Sequence, residues 1–320
     1  MTHTSLATID LGSHDRGVID ALEQALTTTG FVQVAGHGIA AEQVAAMRAL
    51  LRDYFERPLE HKLDESITPD NYRGYIPLGF FSPNAERRAA DHYEGYKLHY
   101  EVSASDPVCH ACDLYGPNRW PDGPHGFRQT VLDYWQACER LGRHLLGFIA
   151  QIMAVDQQWF LSLFNEPLTN MTLLHYPSQG TGEDGYGIHP HKDTDALTLL
   201  FPDPVGGLWL RPRDSDDWIE VNAPDNTLVV NIGDLLELWS GGYFVSTPHK
   251  VVNRSGAERY SFPFFIVPRH DVIVEPLMTP QPGFERAPVP VGAVSREVWR
   301  TNWPDARPGA TGFDLGTLRD

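Results

Sequence analysis

From residue 171 onward the chain is a series of short apolar or alternating runs, each closed by turn residues: MTLLHYP, ALTLLFP, GLWLRP, DWIEV, TLVVNIG, HKVVN, RYSFPFFIVP and DVIVEP. Such runs are too short for stable helices. A regular series of them, with side chains alternating between two faces, predicts a sandwich or a barrel. This cadence limits the second half of the chain to a mainly β architecture.

The first half has a different texture. ALEQAL (21–26) ends at Gly30, FVQVAGHG (31–38) alternates like a strand, and AEQVAAMRALLRDYF (41–55) follows. In the last of these, Val44, Met47, Leu50, Leu51, Tyr54 and Phe55 recur at three- and four-residue steps, which predicts an amphipathic helix. Residues 66–124 are rich in Pro, Gly, Asn and Asp. That is long for a plain connection, so the segment is expected to carry function or short strands of its own. Helical patterns run over Phe127–Val155 and Gln157–Phe164, and VSREVWRTNW (294–303) predicts a closing helix. No flexible linker interrupts the chain. The expected organisation is a helical N-terminal region (1–165), a β core (166–280) and a C-terminal helix and tail (281–320), forming one structural unit.

Composition narrows the function. The 320 residues carry a formal charge of −17, which argues against nucleic acid and anionic membrane surfaces as partners. A small-molecule substrate fits, and no protein partner is evident. Three cysteines are an odd number and fit a reducing compartment. Cys109 and Cys112 form a CxxC, but no second pair completes a zinc site. The start MTHTSLATIDL lacks the pattern of a signal peptide, and LLGFIAQIMAV is too short to span a bilayer. A cytoplasmic location is expected.

The segment HPHKDTD packs His189, His191, Asp193 and Asp195 into seven positions. On a strand, residues two apart face the same way, so His189 with His191, or His191 with Asp193, could grip one ion, as could His189 with Asp195 over a longer reach. Pro190 weakens regular pairing of the first kind. His191 with Asp193 leads straight into the apolar run. The best third ligand is His249, opening HKVVN. Two His and one carboxylate leave three positions open on an octahedral metal, the facial triad of non-haem Fe(II) oxygenases. Ten residues on, Arg259 and Ser261 share a strand face among phenylalanines. A buried Arg needs an anionic partner, and its fork suits a carboxylate.

Taken in order, His191-x-Asp193, His249 and Arg259-x-Ser261 resemble the 2-oxoglutarate/Fe(II) oxygenases of the isopenicillin N synthase-like superfamily. GFVQVAGHGI (30–39), RGYIPLG (73–79), EGYKLHYE (94–101), LYGPNRWP (114–121), LLHYP (173–177) and VNIGD (230–234) resemble further segments of that family. The resemblance implies a distorted double-stranded β-helix, or jelly roll, with packed helices. It implies Fe(II) on His191, Asp193 and His249, and 2-oxoglutarate reaching Arg259, Ser261 and the Tyr176 hydroxyl. It implies O2 as oxidant, ascorbate as a candidate reductant, and oxidation of an unactivated C–H bond with release of succinate and CO2. Departures are Asp195, where relatives often carry a small residue, Leu174, where plant relatives often carry Asn, and Arg269, near which they often carry a neutral polar residue.

Tyr75, Phe80, Phe81, Lys97, His99, Asp195, Phe265, Arg269 and Trp299 are the candidates for the substrate pocket; their mix of aromatic and charged groups suits an amino acid or a natural-product intermediate. His189 is expected in a supporting or surface position. Two rival readings stay open: an iron oxidase or cyclase of the same fold that does not use 2-oxoglutarate, and a non-catalytic jelly-roll module binding metal or ligand.

Overall fold

The computed structural model describes residues 6–13, 17–81, 90–178 and 185–301. The N-terminal half begins with β1 (Thr8–Asp10), α1 (Gly17–Thr28), β2 (Phe31–Ala35), α2 (Ala41–Phe55) and α3 (Leu59–Leu63). The long irregular stretch does carry strands of its own, β3 (Gly74–Ile76) and β4 (Glu94–His99), followed by the short α4 (Val108–Ala111). Helix α5 (Phe127–Ile152) buries Val131, Tyr134, Trp135, Cys138, Leu141, Leu145 and Ile149, a single stripe at helical spacing. Gly142 on that stripe permits close approach to the sheet, because a Cβ there would lie 2.4 Å from Ile266 Cδ1. The short α6 is Gln157–Ser162.

The β core then follows: β5 (Asn170–Tyr176), β6 (Ile188–His191), β7 (Leu197–Leu200), β8 (Leu208–Leu210), β9 (Ile219–Glu220) and β10 (Leu228–Ile232). After α7 (Asp234–Trp239) come β11 (His249–Val251), β12 (Arg259–Ser261), β13 (Phe264–Ile266), β14 (Ile273–Val274), β15 (Val289–Pro290) and α8 (Val291–Thr301). The run RYSFPFFIVP is two strands, not one, because Pro263 lacks an N–H and interrupts the ladder. The closing helix starts three residues earlier than its pattern suggests, and the last two residues of that pattern lie outside the described residues.

Two sheets face each other. The larger has the order β1-β2-β10-β7-β13-β5-β4-β3, with β12 also paired to β5; the smaller is β6-β11-β8-β9. All pairings are antiparallel except β1 with β2. This is the jelly roll with packed helices. Helices α2 and α5 cover the outer face of the large sheet. The space between the two sheets holds the candidate site. Among the described residues no helix is long and apolar enough to cross a membrane.

Candidate metal centre and adjoining cavity

His191 ends β6 and His249 opens β11, and antiparallel register sets them directly opposite each other. Their rings lie 4.3 Å apart between centroids. Asp193 does not sit on a strand with His191. It lies in the turn between β6 and β7, so the turn, not strand alternation, brings its carboxylate round. Asp193 Oδ1 is 3.6 Å from His191 Nε2 and 3.5 Å from His249 Nε2. One ligand atom from each of the three residues falls within 4.8 Å of the others, a group sized for one ion.

Every other polar atom of the trio is engaged. His191 Nδ1 lies 2.8 Å from the His189 carbonyl, and His249 Nδ1 lies 3.2 Å from the Thr247 carbonyl. A carbonyl only accepts, so each Nδ1 donates outward and each Nε2 is turned inward, where it can offer a lone pair to a metal. Asp193 Oδ2 accepts from Asn231 Nδ2 at 2.8 Å and lies 2.5 Å from Thr198 Oγ1, leaving Oδ1 for a metal. Two imidazole Nε2 atoms and one carboxylate oxygen are the donor set of a facial Fe(II) site.

Asp195 also lies in that turn, so it does not share a strand face with the ligands. It is buried, and its Oδ2 lies 2.8 Å from the same Thr198 Oγ1. One hydroxyl proton cannot serve two carboxylates. Burial and the neighbouring Asp193 charge push the Asp195 carboxyl well above the usual range, so it keeps its proton. Asp195 thus donates to Thr198, and Thr198 donates to Asp193. This engages Oδ2 and leaves Oδ1 buried without a hydrogen-bond partner. That Oδ1 packs on Gly233, where a Cβ would lie 2.1 Å away.

Comparison with known proteins agrees with this geometry. Residues 168–268 match the model of the 2OG-Fe(II) oxygenase superfamily, and residues 6–123 match that of the non-haem dioxygenase N-terminal region in morphine synthesis. The 2-oxoglutarate-Fe(II) type oxidoreductase hxnY of Emericella nidulans is 34% identical over 265 residues, covering 79% of this chain and 75% of that one. The chain belongs to the 2-oxoglutarate/Fe(II) oxygenases. Homoarginine-6-hydroxylase 2-ODD-C23.1 of Arabidopsis thaliana is 30% identical over 266 residues, covering 81% of this chain and 79% of that one. A full-length Neurospora crassa protein solved in complex with alpha-KG is similar throughout, with a TM-score of 0.81 at 25% identity over 93% of this chain and 98% of that one. This 2-oxoglutarate/Fe(II) oxygenase is therefore an enzyme that uses iron and 2-oxoglutarate, which displaces both rival readings.

For the cosubstrate, the oxygenase offers Arg259 on β12, directly opposite Tyr176 on β5, with Ser261 two residues along the same face. Arg259 is 2% exposed. Its Nε donates to the Gly206 carbonyl at 2.7 Å, and its guanidinium carbon lies 4.7 Å from the Tyr176 ring centroid. Its Nη1 is buried without a hydrogen-bond partner, and among the described residues no carboxylate forms an ion pair with it. An orphaned buried guanidinium nitrogen fits the far carboxylate of 2-oxoglutarate.

A cavity of about 420 Å³ adjoins the metal trio, and Phe81, Lys97, His99, Asp195, Phe265 and Trp299 line it. Phe80 does not line the cavity but packs edge-on against Phe81, which does. Two expected substrate residues lie elsewhere. Ile76 faces the cavity, so strand alternation turns the neighbouring Tyr75 away; its hydroxyl donates to Glu94 Oε2 at 2.5 Å, beside Lys62. Arg269 follows Pro268 out of the barrel and pairs with Asp271 at the surface, at 2.5 Å.

The sequence reading missed Asp91. Its Oδ1 lies 2.5 Å from His189 Nδ1 and accepts from the His189 backbone N–H at 2.9 Å, which buries His189 at the cavity wall. No local pattern signals this pairing across 98 residues. Asn170, Thr172 and Tyr93 also line the cavity without having been expected there.

Proposed function

We propose that His191, Asp193 and His249 hold the Fe(II), that Arg259, Ser261 and Tyr176 receive 2-oxoglutarate, and that the cavity admits an amino acid or natural-product intermediate for hydroxylation at a C–H bond. In balance, R–H, 2-oxoglutarate and O2 become R–OH, succinate and CO2. The observation that carries the reading is the metal trio itself: two inward imidazole Nε2 atoms and one free carboxylate oxygen, with every outward atom already bonded.

When bound, iron activates O2 at the expense of 2-oxoglutarate; the protein's own work is positioning. Asn231 and Thr198 fix the Asp193 carboxylate so that one oxygen faces the cavity. The backbone carbonyls of residues 189 and 247 fix the imidazole tautomers. Arg259 neutralises the far carboxylate of the cosubstrate and so sets its orientation. The aromatic and aliphatic part of the wall, Phe81, Leu168, Phe265, Val267 and Trp299, would keep water from the reacting carbon. A relative named for 6-hydroxylation of homoarginine supports an amino-acid substrate.

The test is anaerobic difference spectroscopy of the Fe(II)-loaded protein with and without 2-oxoglutarate. A weak visible charge-transfer band is expected, and it should be lost in His249→Ala and Asp193→Ala. Iron binding with no band in the wild-type protein would overturn the cosubstrate assignment. Unchanged iron affinity in both variants would overturn the metal assignment.

A further inference from the structure

Among the described residues lining the cavity, two are lysines, Lys97 and Lys192. Lys192 is answered by acids, with Asp234 at 3.8 Å and Glu237 at 3.5 Å. Lys97 is answered only by neutral oxygens. Its ammonium lies 2.6 Å from Asn170 Oδ1 and 2.8 Å from Thr172 Oγ1, above the Phe265 ring at 5.2 Å. Of the two acids nearest in charge terms, Asp193 is engaged by Thr198, Asn231 and the metal position, and Asp195 by Thr198 through one oxygen; among the described residues neither forms an ion pair with Lys97. Burial without a bonded counter-charge pulls the Lys97 proton affinity down to about 7.

A cation fixed by two neutral acceptors inside a cavity lacks an anion. His99 cannot compete for one. Its Nε2 lies 3.1 Å from the Tyr72 carbonyl, to which it donates, and burial holds the ring neutral. The ring backs Trp299 instead, at 4.5 Å. Much of the remaining wall is apolar and aromatic, with Phe81, Phe265, Trp299, Leu168 and Val267, and the carboxylate on it, Asp91, is paired with His189. One cation in such a wall suits a singly charged group.

We propose that Lys97 is the specificity residue of this oxygenase, and that its substrate is a carboxylate with an apolar or aromatic body, bound by its carboxylate to the Lys97 ammonium. The proposal rests on the iron and 2-oxoglutarate assignments above. Strand register gives it a second consequence. Asn170, Phe265 and Thr198 are successive cross-strand partners on β5, β13 and β7, and Thr198 supports the metal ligand Asp193. The Lys97 ammonium sits at Asn170, two strand spacings or roughly 10 Å from Thr198. A substrate held there presents the iron with a carbon several bonds from its carboxylate.

The test uses the anaerobic Fe(II)–2-oxoglutarate protein, so that Arg259 is already occupied. Its probes are a panel of aryl- and alkyl-monocarboxylates, each paired with its primary carboxamide, titrated by calorimetry and by perturbation of the charge-transfer band. The wild-type protein is expected to prefer carboxylates at least tenfold. Lys97→Met should erase that preference and Lys97→Arg should retain part of it, all with the same band before probe is added. Equal affinity for carboxylate and carboxamide across the panel overturns the proposal, as does failure of every member to bind. Persistence of the preference in Lys97→Met overturns it too. The wild-type comparison stands even if a variant fails to fold. Absence of the band without probe would instead strike the cosubstrate reading on which the proposal rests. In panel members that turn over in air, oxygen is expected beyond the α carbon, and oxidation at the α carbon overturns the placement.

Discussion

Single side chains divide the work sharply in this oxygenase. Thr198 has one proton to give, and it goes to Asp193 because Asp195 keeps its own. Asp195→Asn keeps a donor toward Thr198, whereas Asp195→Ala removes it and lets Thr198 turn from Asp193. We expect near-normal Fe(II) affinity for the first. For the second, we expect about 10- to 100-fold weaker binding, the usual cost of losing a group that orients a metal ligand. A metal titration of both variants checks this, and equal affinity would refute the relay. Arg259→Ala should raise the KM for 2-oxoglutarate with little effect on iron. Losing a buried charge-assisted pair costs about 2–5 kcal/mol, or roughly 30- to several-thousandfold in affinity. Succinate production against cosubstrate concentration measures it.

Among the elements, the strand pair β5 and β12 carries the proposed cosubstrate residues on one face and a clamp on the other. His175 stacks on Tyr260 at 4.8 Å, while its ring nitrogens lie 2.8 Å from Glu94 Oε1 and 2.5 Å from Glu258 Oε2. His175→Phe keeps the stack and loses both bonds. A loss of about 1 kcal/mol, roughly fivefold, in 2-oxoglutarate affinity is expected, with Fe(II) affinity unchanged; titration of the charge-transfer band against each component checks it. The strand cadence, the helical stripe of α5 and the order of His191, Asp193, His249 and Arg259 were legible in the sequence, because alternation and helical spacing leave marks within a few residues. The turn that carries Asp193 and Asp195 was not, since a short polar segment reads equally as strand or turn. Nor was the inward or outward facing of Tyr75, which depends on pairing with a strand about twenty residues away. The Asp91–His189 contact was hidden for the same reason: it exists only once the sheets have closed.

The molecule as a whole responds to pH through the cavity. In the unfolded chain Lys97 holds its proton up to about 10.5, and in the folded metal-free protein only up to about 7. Between those values the unfolded state binds more protons, so this residue makes stability rise with pH there, and below that window the full cost of burying the charge applies. Urea midpoints of the wild type should therefore gain on those of Lys97→Met between pH 7 and pH 10. Parallel curves would refute the burial cost. Saturating Fe(II) with 2-oxoglutarate should also raise the melting temperature, because both bind only the folded chain. The direct opposition of His191 and His249 across β6 and β11 carries this coupling further. A slip of one residue between these strands would turn one imidazole to the opposite face and break up the trio, so iron held at the proposed site would favour the observed alignment, and molecules in that register should retain metal through a wash with a weak chelator.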